Sequence, residues 1–205
     1  MAKIKKTKTE LKAQREALQR YLRFLPTLEL KKQQLQTEVR HVEQELRAVA
    51  DEQTATEVGL RHWAKLLTGQ QERLADLTRV ADVVTTPGNI TGVVVPVLED
   101  VRFHDVQLDL FETPVWYDDA VPVLQSLVRL AVALRVLERQ RALLAEELRI
   151  TSQRVNLFEK VKIPQAEDNI RVINIALGDA QTAAVARAKI AKAKTEALTT
   201  GATGA

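Results

Sequence analysis

Three features of the sequence predict a mainly α fold: two very long N- and C-terminal helices paired as an antiparallel coiled coil, with a small central region containing a short β-hairpin. Apolar residues recur at alternating four- and three-residue steps through both halves of the chain. The stretch between the halves changes to Val, Ile and turn residues. Composition agrees, because 45% of the residues are apolar but only 4% are aromatic, as in long helices rich in Leu, Ala, Glu and Lys.

The first element, over residues 1–83, carries two interleaved ladders. One runs Ile4, Leu11, Leu18, Leu25, Lys32, Val39 and Leu46, the other Tyr21, Leu28, Leu35, Val42 and Val49. Together they keep one seam on one side of a helix. The pattern continues less regularly through Val58, Leu60, Trp63, Leu67, Leu74 and Leu77, past Gly59 and Gly69, each of which weakens a helix by about 1 kcal/mol relative to Ala. Pro26 removes a backbone donor and crowds the preceding turn, so a kink or short break is expected near Leu25. The ladder keeps its phase across it.

Residues 84–118 form the central region. Thr85-Thr86-Pro87-Gly88-Asn89 reads as the turn that ends the first helix. Residues 90–98 and 101–110 read as two strands separated by Glu99-Asp100, with Pro96 marking an edge or a bulge. The second long helix, over residues 119–198, opens on an Asp cap with Pro122 in its first turn. Its seam runs Leu127, Leu130, Leu134, Leu137, Leu144, Leu148, Val155 and Phe158. After Phe158 the register slips to Ala166, Ile170, Ile173 and Leu177, an extra four-residue step that coincides with Ile163-Pro164, where a bend is expected. Beyond Gly178 the seam is mostly alanine, and residues 199–205 read as a disordered tail. Helices of this length would make a rod of roughly 100 Å.

Charge is concentrated at the ends. The first twenty residues hold seven Lys or Arg against two Glu, and residues from Asp179 onward hold four against two, while the whole chain is only +3. Antiparallel pairing is expected to bring these basic ends together as a slender cationic tip. The residues expected to make partner contacts there are Lys5, Lys8, Leu11, Arg187, Lys189, Lys192 and Lys194.

Chemistry of its own is not expected. The chain has no cysteine, so no disulfide or thiolate site. It has no phosphate-cradling Gly-x-x-x-x-Gly-Lys motif, and His41, His62 and His104 lack ligand spacing. Glu146/Glu147 and Asp118/Asp119 fit solvated faces and caps better than acid–base couples. No cofactor is expected, and no enzymatic role. The sequence has no uninterrupted run of about 18 apolar residues, so no membrane span is expected. Phe103, Phe111, Trp116 and Tyr117 form a local apolar group rather than a base-stacking platform, and no nucleic-acid module accompanies the basic ends.

Arg154-Val155-Asn156, Phe158-Glu159, Ile163-Pro164, Glu167 and the Ile170/Ile173/Leu177 series resemble the C-terminal signature of the D subunits of V-type and archaeal-type ATPases. Thr9-Glu10-Leu11-Lys12 with Leu30-Lys31-Lys32-Gln33-Gln34-Leu35 resembles that family's N-terminal segments, and Gly92-Val93-Val94-Val95-Pro96 its central strand. The chain departs from the pattern at Thr27-Leu28-Glu29, where the family usually has Gly-His-Lys, and at Gln153, where many relatives have Arg. The resemblance implies a non-catalytic central rotor shaft that couples ATP hydrolysis or synthesis to proton or sodium transport. Its implied partners are the bore of a hexamer of A and B subunits, the F subunit, contacted by the hairpin through Val93, Val95 and Phe103, and the membrane rotor adaptor, the C/d subunit. It also implies a cytoplasmic place, with the membrane reached only through the complex. An autonomous coiled-coil scaffold or tether is the alternative reading of the same heptads.

Overall fold

The computed structural model describes residues 4–61, 71–104 and 114–202. His62, Trp63, Leu67 and Gly69 of the expected first helix, and Val106, Leu108, Leu110 and Phe111 of the central region, lie outside the described residues. Helix α1 spans Lys8–Leu60 and a short helix α2 spans Gln71–Leu77. Strands β1 (Val80–Ile90) and β2 (Val93–Phe103) follow as an antiparallel pair. The C-terminal half comprises α3 (Tyr117–Leu157), a π-helical turn (Phe158–Lys162) and α4 (Ile163–Ala202). Chain contacts divide these elements into two units, one of residues Met1–Glu29 with Ser152–Ala205 and the other Leu30–Thr151.

In the second unit, α1 and α3 run antiparallel. Lys31 donates to Glu147 at 2.6 Å across the pair, and Leu35 and Val42 are buried with Leu144. The hairpin seals this cluster with Val95, which is 1% exposed, and with half-buried Ile90 and Val93. Every member of the two expected α1 ladders is buried or half-buried, from Ile4 to Val49. A smaller core gathers Leu74 and Leu77 of α2 around Tyr117, with Trp116, Val121 and Leu124 packed on it. Gln125 donates to the Leu77 carbonyl at the end of α2.

In the first unit the pairing is again antiparallel. Asn169 donates to Gln14 at 3.3 Å, and the Tyr21 and Phe158 rings lie 5.2 Å apart. Val155, Ala166 and Ile173 are buried among its described residues. The expected break at Pro26 is absent, since α1 runs through it without interruption. Leu25 and Leu28 on either side stay half-buried in the seam, and Thr27 donates its hydroxyl to the Phe24 carbonyl. Packing over a long seam outweighs the roughly 3 kcal/mol that an interior proline costs an isolated helix.

The hairpin differs from the sequence expectation in its boundaries. Strand β1 begins at Val80 and includes Thr85 to Asn89, and the turn falls at Thr91-Gly92, with φ of 50° and 80°. Two successive positive φ values make the primed two-residue turn whose twist matches a hairpin. The Asn89 side chain accepts the Gly92 N–H at 2.9 Å and holds that turn. Counting outward from Ile90 opposite Val93, which closes the turn, Pro87 and Pro96 face each other at a position where neither N–H points into the ladder. Two prolines are therefore tolerated inside one hairpin. Gly88 stands where a Cβ would meet Val97 Cγ2 at 2.7 Å. Glu99-Asp100 is not the turn: Val84 pairs with Asp100 and Thr85 with Leu98, so Glu99 is the surplus residue of a bulge. At the other end of the chain, helix α4 persists to Ala202, four residues into the stretch expected to be disordered.

A β-branched residue at positive φ is strained. Thr91→Asn is therefore expected to stabilise the chain by about 1 kcal/mol, read as a higher urea midpoint at unchanged slope. A lower midpoint would show that the threonine side chain contributes more than its backbone costs.

Candidate interaction surfaces

The seam fixes where the basic residues fall. With Gln14 opposite Asn169, Lys8 lies across from the residues around Ile175. Lys5 and Lys8 are exposed there, and Leu11 is half-buried in the pair. From Gly178 to Thr195 every residue of α4 is exposed. The pair thus gives way to a single helix for roughly 27 Å. Arg187, Lys189, Lys192 and Lys194 all sit on this single-helix stretch. The two basic segments are therefore offset along the first unit rather than side by side. A tally of charges carries no register, and the offset is set by the seam.

The charges on the single helix are not confined to one face. At 100° per residue, Arg187 and Lys194 share one side and Lys189 and Lys192 the opposite one. Val185 and Ile190, each 58% exposed, lie among them. Alanines at 183, 184, 186, 188, 191 and 193 keep this stretch thin. A helix that is cationic on two sides, with bare apolar residues between, has no single face to lay on a flat surface.

The hairpin surface requires a correction. Val95, expected as a partner contact, is in the core, and Val93 is half-buried against the same cluster. Strand alternation instead turns Val94 outward, at 65% exposure, while Val97 is 39% exposed. Phe103 is half-buried, with the Arg129 guanidinium 5.3 Å from its ring centre. Beside Val97 an open groove runs between α1 and α3, with Glu38, His41 and Glu45 on one wall and Val136 and Leu137 on the other. His41 lies 3.4 Å from Glu45. On the outer side of α3, Arg149 makes two hydrogen bonds to Glu146 and holds its carboxyl below the usual carboxylate range. Both side chains are exposed, so this pair adds little stability.

The continuous helical run from Tyr117 to Thr195 contains an 18-residue stretch long and apolar enough, by length and composition, to cross a membrane, although charged residues such as Arg129 and Arg135 interrupt it. The polar groups along α3 favour a protein-packed role. Gln125 reaches Leu77, Arg129 covers Phe103, and buried Gln140 donates to the Pro96 carbonyl at 2.6 Å. Among the described residues, no group of three His, Cys, Asp or Glu is placed to hold a metal ion.

Comparison with known proteins decides the family. The family model of the ATP synthase D subunit matches residues 10–193. The chain belongs to the ATP synthase D-subunit family. Its relatives include the V-type ATP synthase D subunit of Borreliella burgdorferi, 44% identical over 192 residues that cover 94% of this chain and 95% of the relative. The proteins of the same name from Chlamydia caviae and Chlamydia muridarum are 32% and 33% identical, covering 94% of this chain and 94% and 96% of theirs. In this member of the D-subunit family, the antiparallel helix pairs fit a coiled-coil stalk.

The hairpin assignment is checked by two substitutions. Val95→Ala should cost about 2 kcal/mol as a buried truncation, whereas Val94→Ala should stay within about 0.5 kcal/mol. Equal losses in chemical denaturation would contradict the alternation.

Proposed function

We propose that this chain is the central rotor shaft of a V-type rotary ATPase, coupling ATP hydrolysis or synthesis in a hexamer of A and B subunits to proton or sodium transport. The observation that carries the reading is the single exposed helix from Gly178 to Thr195, emerging from a coiled pair in a member of the D-subunit family. A thin helix with cations on opposite sides and bare Val185 and Ile190 gains most from a surrounding socket, where each side meets a wall. The bore of a ring supplies such a socket. Lys5, Lys8 and Leu11 would contact the same bore lower on the pair.

In this reading the chain does no covalent chemistry and works on the peripheral, cytoplasmic side of the membrane. Its asymmetric surface stabilises the sites of the ring unequally at each angle, so turning it changes which site is favoured. The F subunit would dock on the hairpin side through Val97 and the rim of the adjoining groove, with Phe103 at its margin. The apolar half-buried face of α3 near Tyr117 would be covered by the C/d adaptor of the membrane rotor.

Co-expression with the cognate A, B and F subunits tests the reading. Native mass spectrometry is expected to find one copy of this chain for three A and three B. A homodimer that ignores all three partners would favour an autonomous scaffold. Reversing the four basic residues (Arg187→Glu, Lys189→Glu, Lys192→Glu and Lys194→Glu) should weaken binding to the ring by about tenfold or more at low salt, with a smaller difference at high salt.

A further inference from the structure

The C-terminal strand of the helix pair carries one residue too many. Continuing the three- and four-residue steps from Leu144, Leu148, Thr151, Val155 and Phe158 calls for positions 162, 165, 169, 172 and 176. Instead Ala166 and Ile173 are buried, Gln165 is exposed and Val172 is 42% exposed. The buried positions come one residue late. On α1 the ladder from Ile4 to Val49 has no such slip. The Tyr21 contact with Phe158 and the Asn169 bond to Gln14 bracket the slip along the pair.

The surplus is absorbed at one place. Over Phe158–Lys162 the helix widens to a π turn, and the Ile163 N–H donates to the Phe158 carbonyl five residues back. Pro164 follows at once and has no N–H to give. None of the five turn residues is buried, and Val161 is 49% exposed. The turn is held at its start by the Tyr21 ring on Phe158, and beyond it by Ala166 and Ile173 in the seam. Few buried contacts and exposed backbone bonds mark the segments of a protein that open first. Removing one residue from the turn would join Val155, Phe158, Ile163, Ala166, Ile170, Ile173 and Leu177 into an unbroken ladder. The surplus is therefore not required for pairing.

We propose that the Phe158–Lys162 turn is a torsional joint, a one-residue surplus at which the helix pair yields under load. This rests on the shaft reading only for its use. The joint itself is a property of the isolated chain.

Two full-length variants test it. Deleting Val161 together with Pro164→Ala removes both the surplus and the proline, whereas Pro164→Ala alone leaves the surplus in place. In hydrogen exchange, amides of residues 159–163 in the parent chain should exchange about tenfold or more faster than those of the flanking turns. The deletion should remove that difference, and Pro164→Ala alone should keep it. A disulfide between Gln14→Cys and Asn169→Cys should form in all three backgrounds, reporting intact pairing. Uniform protection in the parent chain, or loss of the disulfide on deletion, overturns the joint. So does full protection in Pro164→Ala alone, which would make the proline the cause. In the assembled complex the deletion should lower turnover severalfold at unchanged stoichiometry, and unchanged turnover would reduce the turn to packing. Failure of every form to assemble would instead count against the shaft reading.

Discussion

A helix pair has no interior except its seam, and everything else in this chain is arranged around that constraint. Each turn contributes one or two side chains to the contact, so a large share of the apolar surface stays partly wet. Most ladder residues of α1 are half-buried, and only Leu35 and Val42 are buried outright, where the hairpin adds a third layer. Stability comes from many small contacts in one register. The register is therefore the quantity that local features either preserve or alter.

Pro26 and the π turn show the two outcomes. Pro26 lacks a donor, but it is an exposed residue of α1 and leaves the spacing of seam residues untouched. The turn at Phe158–Lys162 adds a residue, which would rotate every later seam position out of contact if the helix stayed α-helical. Widening one turn restores contact at Ala166 and Ile173. A lost hydrogen bond is a local expense, whereas a change of phase must be corrected before the next layer can pack. The helix accordingly runs through Pro26 but changes its hydrogen-bond pattern at Phe158.

What could be read from the sequence follows the same division. Periodicity is a property of the chain itself, so the seam positions, the slip after Phe158 and the antiparallel plan were legible. The hairpin boundaries were not, because Pro87-Gly88-Asn89 has the composition of a turn. Its acceptability in a strand depends on Pro96 opposite, Val97 over Gly88 and the bond from Asn89 to Gly92, all relations across space. Thr91-Gly92 concealed the true turn because threonine rarely adopts positive φ. The basic residues were legible as two groups but not as two offset groups, since the offset follows from Gln14 meeting Asn169. Val95 was misassigned because a run of valines does not declare which members face inward.

The exposed residues form two kinds of surface, and the difference bears on partners. On the helix-facing side of the hairpin, Val97 lines a groove with Glu38, His41 and Glu45 on one side and Val136 and Leu137 on the other, so a partner there meets one face of a packed layer. From Gly178 to Thr195, among the described residues, there is no layer behind the surface. Side chains leave a thin helix in every direction, and a partner touching one side would leave the cations and apolar residues of the other in water. Full complementarity on that stretch requires enclosure. A single chain could supply it only by folding around the helix, whereas a ring of proteins supplies it by symmetry, with a different wall facing each side at each angle. The absence of a preferred face, a defect in an ordinary docking helix, is what the proposed axle role would require, since an axle meets every wall in turn.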